Sequence, residues 1–547
     1  MPAAIQFVRA AYTTAGPKLM GRNAAGESFL RAMAEAAGDG PIWSLTETSG
    51  DADGFVAEVR RWSTTAVPRS FGVADHAQMR AIGTLFTGDP ILAEDAWRRL
   101  PFGKRSWSLC GITHTTASHG AMDGITALVA APVEPWDALI CTSAAVKSNV
   151  ERLIEAQREY LRARHGAVMF PAPQLPVIPL GVHALDFTAT DADRRRARAA
   201  LDLIDDAIVV LYVGRLSAHA KANPIACYLA LERAAATTSR PIVLVEYGQF
   251  PNRGIEDAFS EAAAKLCPTI RRITLDGSDA ALGKTAWASA DIFCSLSDNV
   301  QEAFGITPVE AMAAGLPVVV SDWDGYRDTV REGVDGFRIP TAMPRAGLGQ
   351  DIAVRHLLKL DSYDRYIGYT SALTAVDIDA AANAFARLFA SDDLRVAMGA
   401  SAQKRAREVY DWTVVLRQYE ALWGELAETR LASPELPPAL PPARQDPFEL
   451  FAGYPTDAID EQASFELVVA DLDLTLTALG ERASLKVIDF ASAVISTPEE
   501  VRAMLERAAD GPAPVHDLVA SIIPERRALA LRSLGWLLKL GIIRRVR

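Results

Sequence analysis

The segment Asp298–Asp322, DNVQEAFGITPVEAMAAGLPVVVSD, carries the pattern on which the prediction of the fold rests. A helical pattern begins after a Gly-Ile-Thr-Pro turn, and a Gly-Leu-Pro break leads into a run of three valines. A helix followed by a short run of β-branched residues is typical of a βαβ unit, whose parallel strands are buried on both faces. The segment therefore predicts part of a doubly wound α/β sheet.

The same alternation of short apolar runs and helical patterns occurs twice along the chain. The first set begins at IQFVRAAY and includes ALICTS, and the second set begins at DAIVVLYVGRLS and continues through RPIVLVEYG to LPVVVSD. Two sets predict two Rossmann-like domains, residues 1–190 and 191–430, that face a cleft. In such sheets ligands bind at the carboxyl ends of the strands.

Four further segments interrupt or follow this alternation. Residues 343–377 break it and are interpreted as an inserted loop or lid in the second domain. Residues 410–430 have apolar side chains at helical spacing and are predicted to be a helix that closes that domain. The prolines of 431–447 favour an extended linker. Residues 448–547 then form a separate, mainly helical domain that resembles a winged-helix unit.

The composition excludes some classes of partner and favours others. A net charge of −12 over 547 residues argues against nucleic acid, because phosphate binding requires a basic face. Five scattered cysteines without CxxC spacing indicate reduced thiols in a cytoplasmic protein. No apolar run approaches the roughly 20 residues of a membrane-spanning helix. The basic stretch at the end of the chain indicates either a solvated helix face or peripheral contact with an acidic membrane surface or protein.

Glu302 and Glu310 lie on either side of the predicted helix start. In one interpretation Thr307 caps the helix, Pro308 is its first residue, and Glu310 reaches back to a free amide. In the other, the small-residue loop presents backbone amides to a phosphate, and the two carboxylates accept hydrogen bonds from sugar hydroxyls. The spacing alone leaves both interpretations open.

Arg215 and Lys221 follow the apolar run DAIVVLYV, at the rim where ligands of such a sheet bind. Two cations at that rim could neutralise a departing diphosphate, the kind of charge stabilisation that lowers a group-transfer barrier most. A solvated pair on a loop is the alternative.

Taken together, these motifs resemble glycosyltransferase family 4, a retaining family with the two-domain GT-B fold. Glu302 to Glu310 looks like the E-x7-E motif of that family, and GRLSAHAK resembles its Gly-Arg-Leu…Lys segment. The run from Trp287 to Asp322 resembles its signature almost throughout. The resemblance extends from about Ile5 to Thr429, and several ordered motifs are more specific than any one of them.

The resemblance implies a role for each matched residue. Glu310 would bind the ribose hydroxyls, Glu302 would contact the transferred sugar, and His114 would meet that sugar from the first domain. Arg215 and Lys221 would hold the diphosphate. The segment that would contact the phosphates beside them consists of Ala303, Phe304, Gly305, Ile306 and Thr307. In the loop KLMGRNAAGES, Gly26 would open a helix and approach the phosphates and the acceptor.

Three positions depart from the family pattern. Ala303 stands where the family has glycine, and a positive φ angle would be strained there. Arg215 and Lys221 are one residue further apart than is usual. Ala25-Gly26 replaces a pair of glycines.

The resemblance implies a retaining, metal-independent transferase without a cofactor. It would move a hexose-like sugar from a nucleotide diphosphate to a hydroxyl of a glycan, a lipid-linked glycan or a protein, in bacterial surface glycan or glycolipid biosynthesis. Two alternatives stay open. One is another GT-B reaction of a sugar nucleotide, such as epimerisation or hydrolysis, and the other is a catalytically silent sugar-nucleotide sensor.

Overall fold

The computed structural model describes residues 3–14 and 21–546. The chain divides into two compact units, Met1–Pro441 and Pro442–Arg547, which we describe separately. The division falls inside the proline-rich segment that the sequence predicts to be a linker.

Among its described residues, the first domain of the first unit contains six parallel strands. The strands are β1 (Ala4–Gln6), β2 (Pro41–Thr46), β3 (Val67–Gly72), β4 (Thr84–Phe86), β5 (Ser108–Ile112) and β6 (Ala138–Ile140). The helices are α1 (Gly21–Ala36), α2 (Ser49–Trp62), α3 (His76–Ile82), α4 (Leu92–Arg99), α5 (His119–Ala127) and α6 (Ala144–His165). The strand order is β3-β2-β1-β4-β5-β6, so the winding direction reverses between β1 and β4.

The second domain repeats this arrangement. Its strands are β7 (Ile208–Val213), β8 (Ile242–Gly248), β9 (Arg271–Asp276), β10 (Ile292–Ser295), β11 (Val318–Ser321) and β12 (Gly336–Ile339). Its helices are α7 (Asp191–Ala200), α8 (Ile225–Ala235), α9 (Arg253–Leu266), α10 (Ala280–Ser289), α11 (Ile306–Ala313) and α12 (Tyr326–Thr329). The parallel order β12-β11-β10-β7-β8-β9 reverses between β7 and β10. The predicted pair of Rossmann-like domains is confirmed.

A helical insertion follows β12. It comprises β13 (Thr341–Ala342), α13 (Gln350–Leu357), α14 (Tyr363–Ala372) and β14 (Ala375–Val376). The two short strands pair with each other and form the base of the insertion. Ile367 of α14 is fully buried with Ala117 and Ala220, which follow β5 and β7. The segment interpreted as a loop or lid is thus a pair of helices packed over loops of both domains.

The last helices of the first unit are α15 (Ile378–Ala390), α16 (Asp392–Arg405) and α17 (Trp412–Ala432). We expected residues 410–430 to close the second domain, but α17 packs in the core of the first. Its residues Trp412, Tyr419 and Trp423 are buried against Phe29 and Phe86. The aromatic side chains of α17 account for its position, because they fill the face of the first sheet next to α1.

The C-terminal unit has its own apolar core, which includes Phe465, Leu505 and Leu534. Its helices are α18 (Pro447–Leu450), α19 (Leu472–Ala483), α20 (Pro498–Ala509), α21 (Val515–Leu518) and α22 (Arg527–Lys539). Its strands β15 (Ser464–Leu467), β16 (Ala513–Pro514) and β17 (Ile543–Val546) form an antiparallel sheet in the order β16-β15-β17. In the described parts of both units, no helix has the length and apolar content needed to span a membrane.

Candidate functional site

Two loops meet at the switch point of the second sheet. β7 and β10 are neighbours, and the loops that follow them carry Arg215, Lys221 and Glu302. The ammonium group of Lys221 forms an ion pair with the carboxylate of Glu302, and each side chain is mostly buried. The extra residue between Arg215 and Lys221 therefore does not prevent the lysine from reaching the candidate site. Ligands of doubly wound sheets bind at this edge.

Tyr326 of α12 contacts Glu302. Its hydroxyl lies 3.4 Å from a Glu302 carboxylate oxygen and 2.8 Å from the hydroxyl of Ser295. Burial and the nearby charge of Glu302 raise the pKa of Tyr326, so the phenol stays protonated and can donate. A Cβ atom on Gly305 would lie only 1.8 Å from the Tyr326 ring, and Gly305 has a φ of +78°. Only glycine fits against this tyrosine without a shift.

Arg215 lies on a loop that several hydrogen bonds hold in place. Its guanidinium donates to the carbonyl of Ala220 at 3.0 Å, and Tyr212 donates to the carbonyl of Arg215 at 3.0 Å. The hydroxyl of Ser297 donates to the carbonyl of Lys221 at 3.1 Å. Among the described residues, Arg215 has no carboxylate within ion-pair distance, whereas Lys221 has one. The loop thus offers one cation that no carboxylate of the described residues neutralises.

Helix α11 begins differently from the predicted capping box. The residue that precedes the first turn is Gly305, and it makes no side-chain cap. Ile306 is the first helical residue, so Pro308 lies two positions further inside, and Glu310 does not bond back to the helix start. The hydroxyl of Thr307 is buried and has no hydrogen-bond partner in the described part of the chain. The capping-box interpretation is wrong, and the amides at this helix start lack a side-chain acceptor.

The carboxyl group of Glu310 lies in the second turn of α11. Burial raises its pKa to about 7, and the positive charge of Lys221 acts in the opposite direction. Burial and the charges of Asp279 and Asp276 raise the pKa of Tyr247, and the negative charge of Glu310 raises it further. Glu310, Lys221 and Glu302 thus form one electrostatically linked group at the switch point.

Ala303 occupies a buried position between the two domains. It lies in the same apolar cluster as Val146 and Val150 of α6. Outside glycine, the described residues with positive φ are Asp202, Asp324 and Lys359. Ala303 is therefore free of the strain that replacing a glycine could cause. Phe304 is buried as well, in the core of the second domain.

His114 follows β5 by two residues and lies where the strands of the first sheet have their carboxyl ends. Burial and the charge of Arg22 lower its pKa to about 4, while a hydrogen bond with the backbone of Gly88 acts in the opposite direction. The imidazole is therefore neutral near pH 7 and can exchange hydrogen bonds with hydroxyl groups. Sequence reasoning missed Arg22, although this residue belongs to the loop KLMGRNAAGES.

Gly26 lies inside α1, which starts at Gly21, so it does not open the helix as predicted. A Cβ atom at this position would lie 2.3 Å from the carbonyl oxygen of Ala11. Close packing between α1 and the turn at Arg9–Ala11 is thus sufficient to explain the glycine. Residues 18–20 of the predicted phosphate loop lie outside the described residues.

The edges of the two domains touch beside Glu302. The hydroxyl of Ser143 donates to Asp324 at 3.0 Å, and the amide of Ala144 donates to Asp328 at 2.7 Å. Asp324 has a φ of +40°, and burial together with the charges of Glu302 and Asp328 raises its pKa to about 7. Two carboxylates of the second domain thus meet the start of α6, where helix amides favour negative charge. Sequence reasoning missed this contact.

The candidate site combines cations, helix amides without a side-chain cap and carboxylates on the loops at the switch point. Such a set can bind a phosphate group and accept hydrogen bonds from hydroxyl groups next to it. Within residues 3–14 and 21–546, no group of three or more His, Cys, Asp or Glu side chains is arranged to hold a metal ion.

The fold follows from the architecture. Two Rossmann-like domains with a site at the switch point form the GT-B fold. The crystal structure of Anabaena HepE in complex with UDP aligns with a TM-score of 0.50 at 16% identity, over 77% of this chain and 99% of that one. This likeness supports the fold.

Sequence comparison relates the second domain to a family. Residues 193–347 match the model of "Glycosyl transferases group 1". The phosphatidyl-myo-inositol mannosyltransferase of Mycobacterium leprae is 33% identical over 189 residues, 33% of this chain and 39% of the relative. The D-inositol 3-phosphate glycosyltransferase of Mycolicibacterium gilvum is 32% identical over 205 residues, 37% of this chain and 43% of the relative. The matched segments thus span less than half of the length of these relatives.

Proposed function

We propose that this protein is a glycosyltransferase that transfers a sugar from a nucleotide diphosphate to an acceptor hydroxyl. The observation that carries the proposal is the ion pair of Lys221 and Glu302 at the switch point, with Arg215 uncompensated beside it. The match of residues 193–347 to glycosyl transferases group 1 covers these three positions.

In this proposal the diphosphate lies between the loop after β7 and the start of α11. Arg215 and Lys221 bind its oxygens, and the amides around Gly305 and Ile306 complete the anion site. Glu310, once ionised, accepts hydrogen bonds from the ribose. Glu302 accepts them from the transferred sugar and is held in place by Tyr326.

We further propose that transfer retains the configuration of the sugar, as in the family that the sequence resembles. The bond between the anomeric carbon and the phosphate oxygen breaks, and the acceptor oxygen bonds to the same face of that carbon. The acceptor proton moves to the departing phosphate. Arg215 and Lys221 stabilise the negative charge that develops on that phosphate. The neutral imidazole of His114 exchanges hydrogen bonds with the sugar from the first domain.

The named relatives suggest the class of acceptor. One acts on phosphatidyl-myo-inositol and another on D-inositol 3-phosphate, according to their names. We propose a hydroxyl-rich acceptor in bacterial glycolipid biosynthesis, and a reaction on the cytoplasmic side. The five cysteines, which form no disulfide, agree with a reducing compartment.

The proposal is tested by incubating the purified protein with common nucleotide sugars, with and without a membrane lipid extract. We expect an acceptor-dependent glycosylated product and release of the nucleoside diphosphate. Release of free sugar at the same rate without the extract would indicate hydrolysis instead. Donor binding without turnover in any extract would indicate the silent sensor.

A further inference from the structure

The insertion has two faces with different surroundings. Its inner face packs on the first domain: His119 of α5 stacks on His356 at 3.8 Å between ring centroids, and His356 stacks on Tyr366 at 4.0 Å. The ring of His119 also lies 3.1 Å from the carbonyl of His356. A Cβ atom on Gly368 would lie 3.1 Å from His219. These contacts hold the insertion against the loops after β5 and β7.

The insertion also carries several exposed apolar side chains. The tip between α13 and α14 contains Leu357, Leu358 and Leu360, with exposed fractions of 71%, 61% and 61%. Further exposed apolar residues of the insertion are Met343, Leu348, Val354, Tyr369 and Leu373. Exposed apolar side chains that cluster in this way mark an interaction surface, whereas single ones are normal.

The charge of the tip differs from that of the chain. Lys359 lies between the exposed leucines and has no acidic partner in the described part of the molecule. Asp361, the acidic residue nearest to Lys359 in the sequence, is buried and paired with Arg355 at 2.6 Å. The tip thus carries a net positive charge in a chain with a net charge of −12. An anionic lipid surface attracts an unpaired lysine such as Lys359.

We propose that the tip Leu357–Leu360 docks on an anionic lipid bilayer and holds the mouth of the cleft at that surface. A projecting turn with leucines on both sides of a lysine suits the boundary between head groups and acyl chains. His356, next to the tip, is part of the stack that reaches His119. The tip is therefore next to the contact between the insertion and α5. The proposal does not depend on which reaction occurs there.

The basic end of the C-terminal unit is a weaker candidate for the same role. Arg526 pairs with Glu500, Arg544 with Glu466, and Arg545 with Asp457. Carboxylates of the same unit neutralise these three cations, and the remaining described cations of this basic end lie on α22, which exposes no large apolar side chain that could enter a bilayer. Arg527, Arg532 and Lys539 of α22 have no such ion pair in the described residues and serve as a comparison.

The experiment measures co-sedimentation of the full chain with phosphatidylcholine vesicles, with and without phosphatidylglycerol. Wild-type protein is expected to bind the vesicles that contain phosphatidylglycerol. Changing Leu357, Leu358 and Leu360 to serine should lower the apparent affinity by at least roughly tenfold, because the apolar contacts are lost. Lys359→Glu should also lower it and should weaken its dependence on salt.

A matched control changes three residues of similar exposure that lie apart from one another: Leu185→Ser, Val396→Ser and Leu431→Ser. This control should bind vesicles as the wild type does. The melting temperature of every variant should stay within a few degrees of the wild-type value. Absence of wild-type binding, or equal losses in tip and control variants, would overturn the proposal. The proposal would also be overturned if vesicle binding is lost when Arg527, Arg532 and Lys539 are changed to glutamate but not when the tip is changed. Tip-dependent self-association without lipid binding would point to a second copy and also overturn it.

Discussion

Lys221 and Glu302 are 81 residues apart in the chain and form an ion pair at the switch point of the second sheet. β7 and β10, which are adjacent, bring their two loops together. The pair joins the cation that we assign to a diphosphate with the carboxylate that we assign to a sugar. This relationship makes the candidate site one functional unit.

Glu302→Gln tests the role of this carboxylate. Glutamine keeps the size of the side chain but loses the charge that holds Lys221 and accepts sugar hydroxyls. We expect the rate of transfer to fall at least about 100-fold, the order of magnitude for removing one preorganised group. The measurement is kcat with the best donor from the nucleotide-sugar screen.

Glu261→Gln provides the matched control. Glu261 also pairs with a lysine, Lys265, but both side chains are about two-thirds exposed on α9. This variant should transfer sugar at the wild-type rate. Equal activity of Glu302→Gln and wild type would remove Glu302 from the site.

Glu310 predicts a dependence on pH. Its pKa is raised to about 7 in the folded protein, so the native state binds a proton more readily than the unfolded chain between about pH 4.5 and 7. Ionisation of Glu310 therefore costs stability as the pH rises through this range. Glu310→Gln should raise the melting temperature more at pH 8 than at pH 5.

The same residue should affect donor binding in the opposite direction. Because an ionised carboxylate accepts hydrogen bonds at both oxygens and more strongly than a protonated carboxyl group, the KM for the donor should rise as the pH falls below about 7. In Glu310→Gln the KM should be higher than in the wild type at pH 8 and should lose this dependence. A wild-type pH profile in the variant would assign the titration to another group, such as Asp324.

Gly305→Ala tests the packing that supports the site. Alanine at a φ of +78° is strained by about 1–2 kcal/mol, and its Cβ atom overlaps the ring of Tyr326. The overlap should cost about 1–3 kcal/mol more. Urea unfolding measures the change in the free energy of unfolding.

Gly38→Ala separates the two effects. Gly38 has a φ of +60°, but no atom lies within 4 Å of the position that its Cβ would take. Gly38→Ala should lower the free energy of unfolding only by the cost of the backbone strain. The same loss in both variants would show that Tyr326 does not press on Gly305.

Metal independence is a prediction that chelation checks. If Arg215, Lys221 and the start of α11 neutralise the diphosphate, the transfer rate with excess EDTA should match the rate without it. A loss of activity that Mg²⁺ or Mn²⁺ restores would show that a metal shares this role.

Some features of the site could be predicted from sequence because they are local. Arg215, Lys221 and Glu302 follow apolar strands, and parallel strands place such loops at one edge of a sheet. Tyr326 could not be found in this way, since its contact with Glu302 depends on how α12 packs beneath the loop after β10. The contact of Ser143 with Asp324 joins positions 181 residues apart in different domains.

The errors have physical reasons of the same kind. The capping box at Thr307, one of two interpretations that the sequence leaves open, fits local preferences, but Gly305 adopts a left-handed conformation against Tyr326 and starts the helix earlier. The aromatic stripe of α17 is visible in the sequence, yet nothing local shows which sheet it covers. Packing against Phe29 and Phe86 decides this.

The central claim is that Arg215 and Lys221 bind the diphosphate of a nucleotide sugar. Calorimetric titration with nucleoside diphosphates tests it directly, using wild type, Arg215→Ala/Lys221→Ala and the charge-matched control Arg253→Ala/Lys265→Ala, whose side chains are exposed on α9. We predict that the wild type and the control bind one nucleoside diphosphate with the same affinity, and that the site variant binds it at least about 100-fold more weakly. Equal affinity of all three proteins would contradict the account.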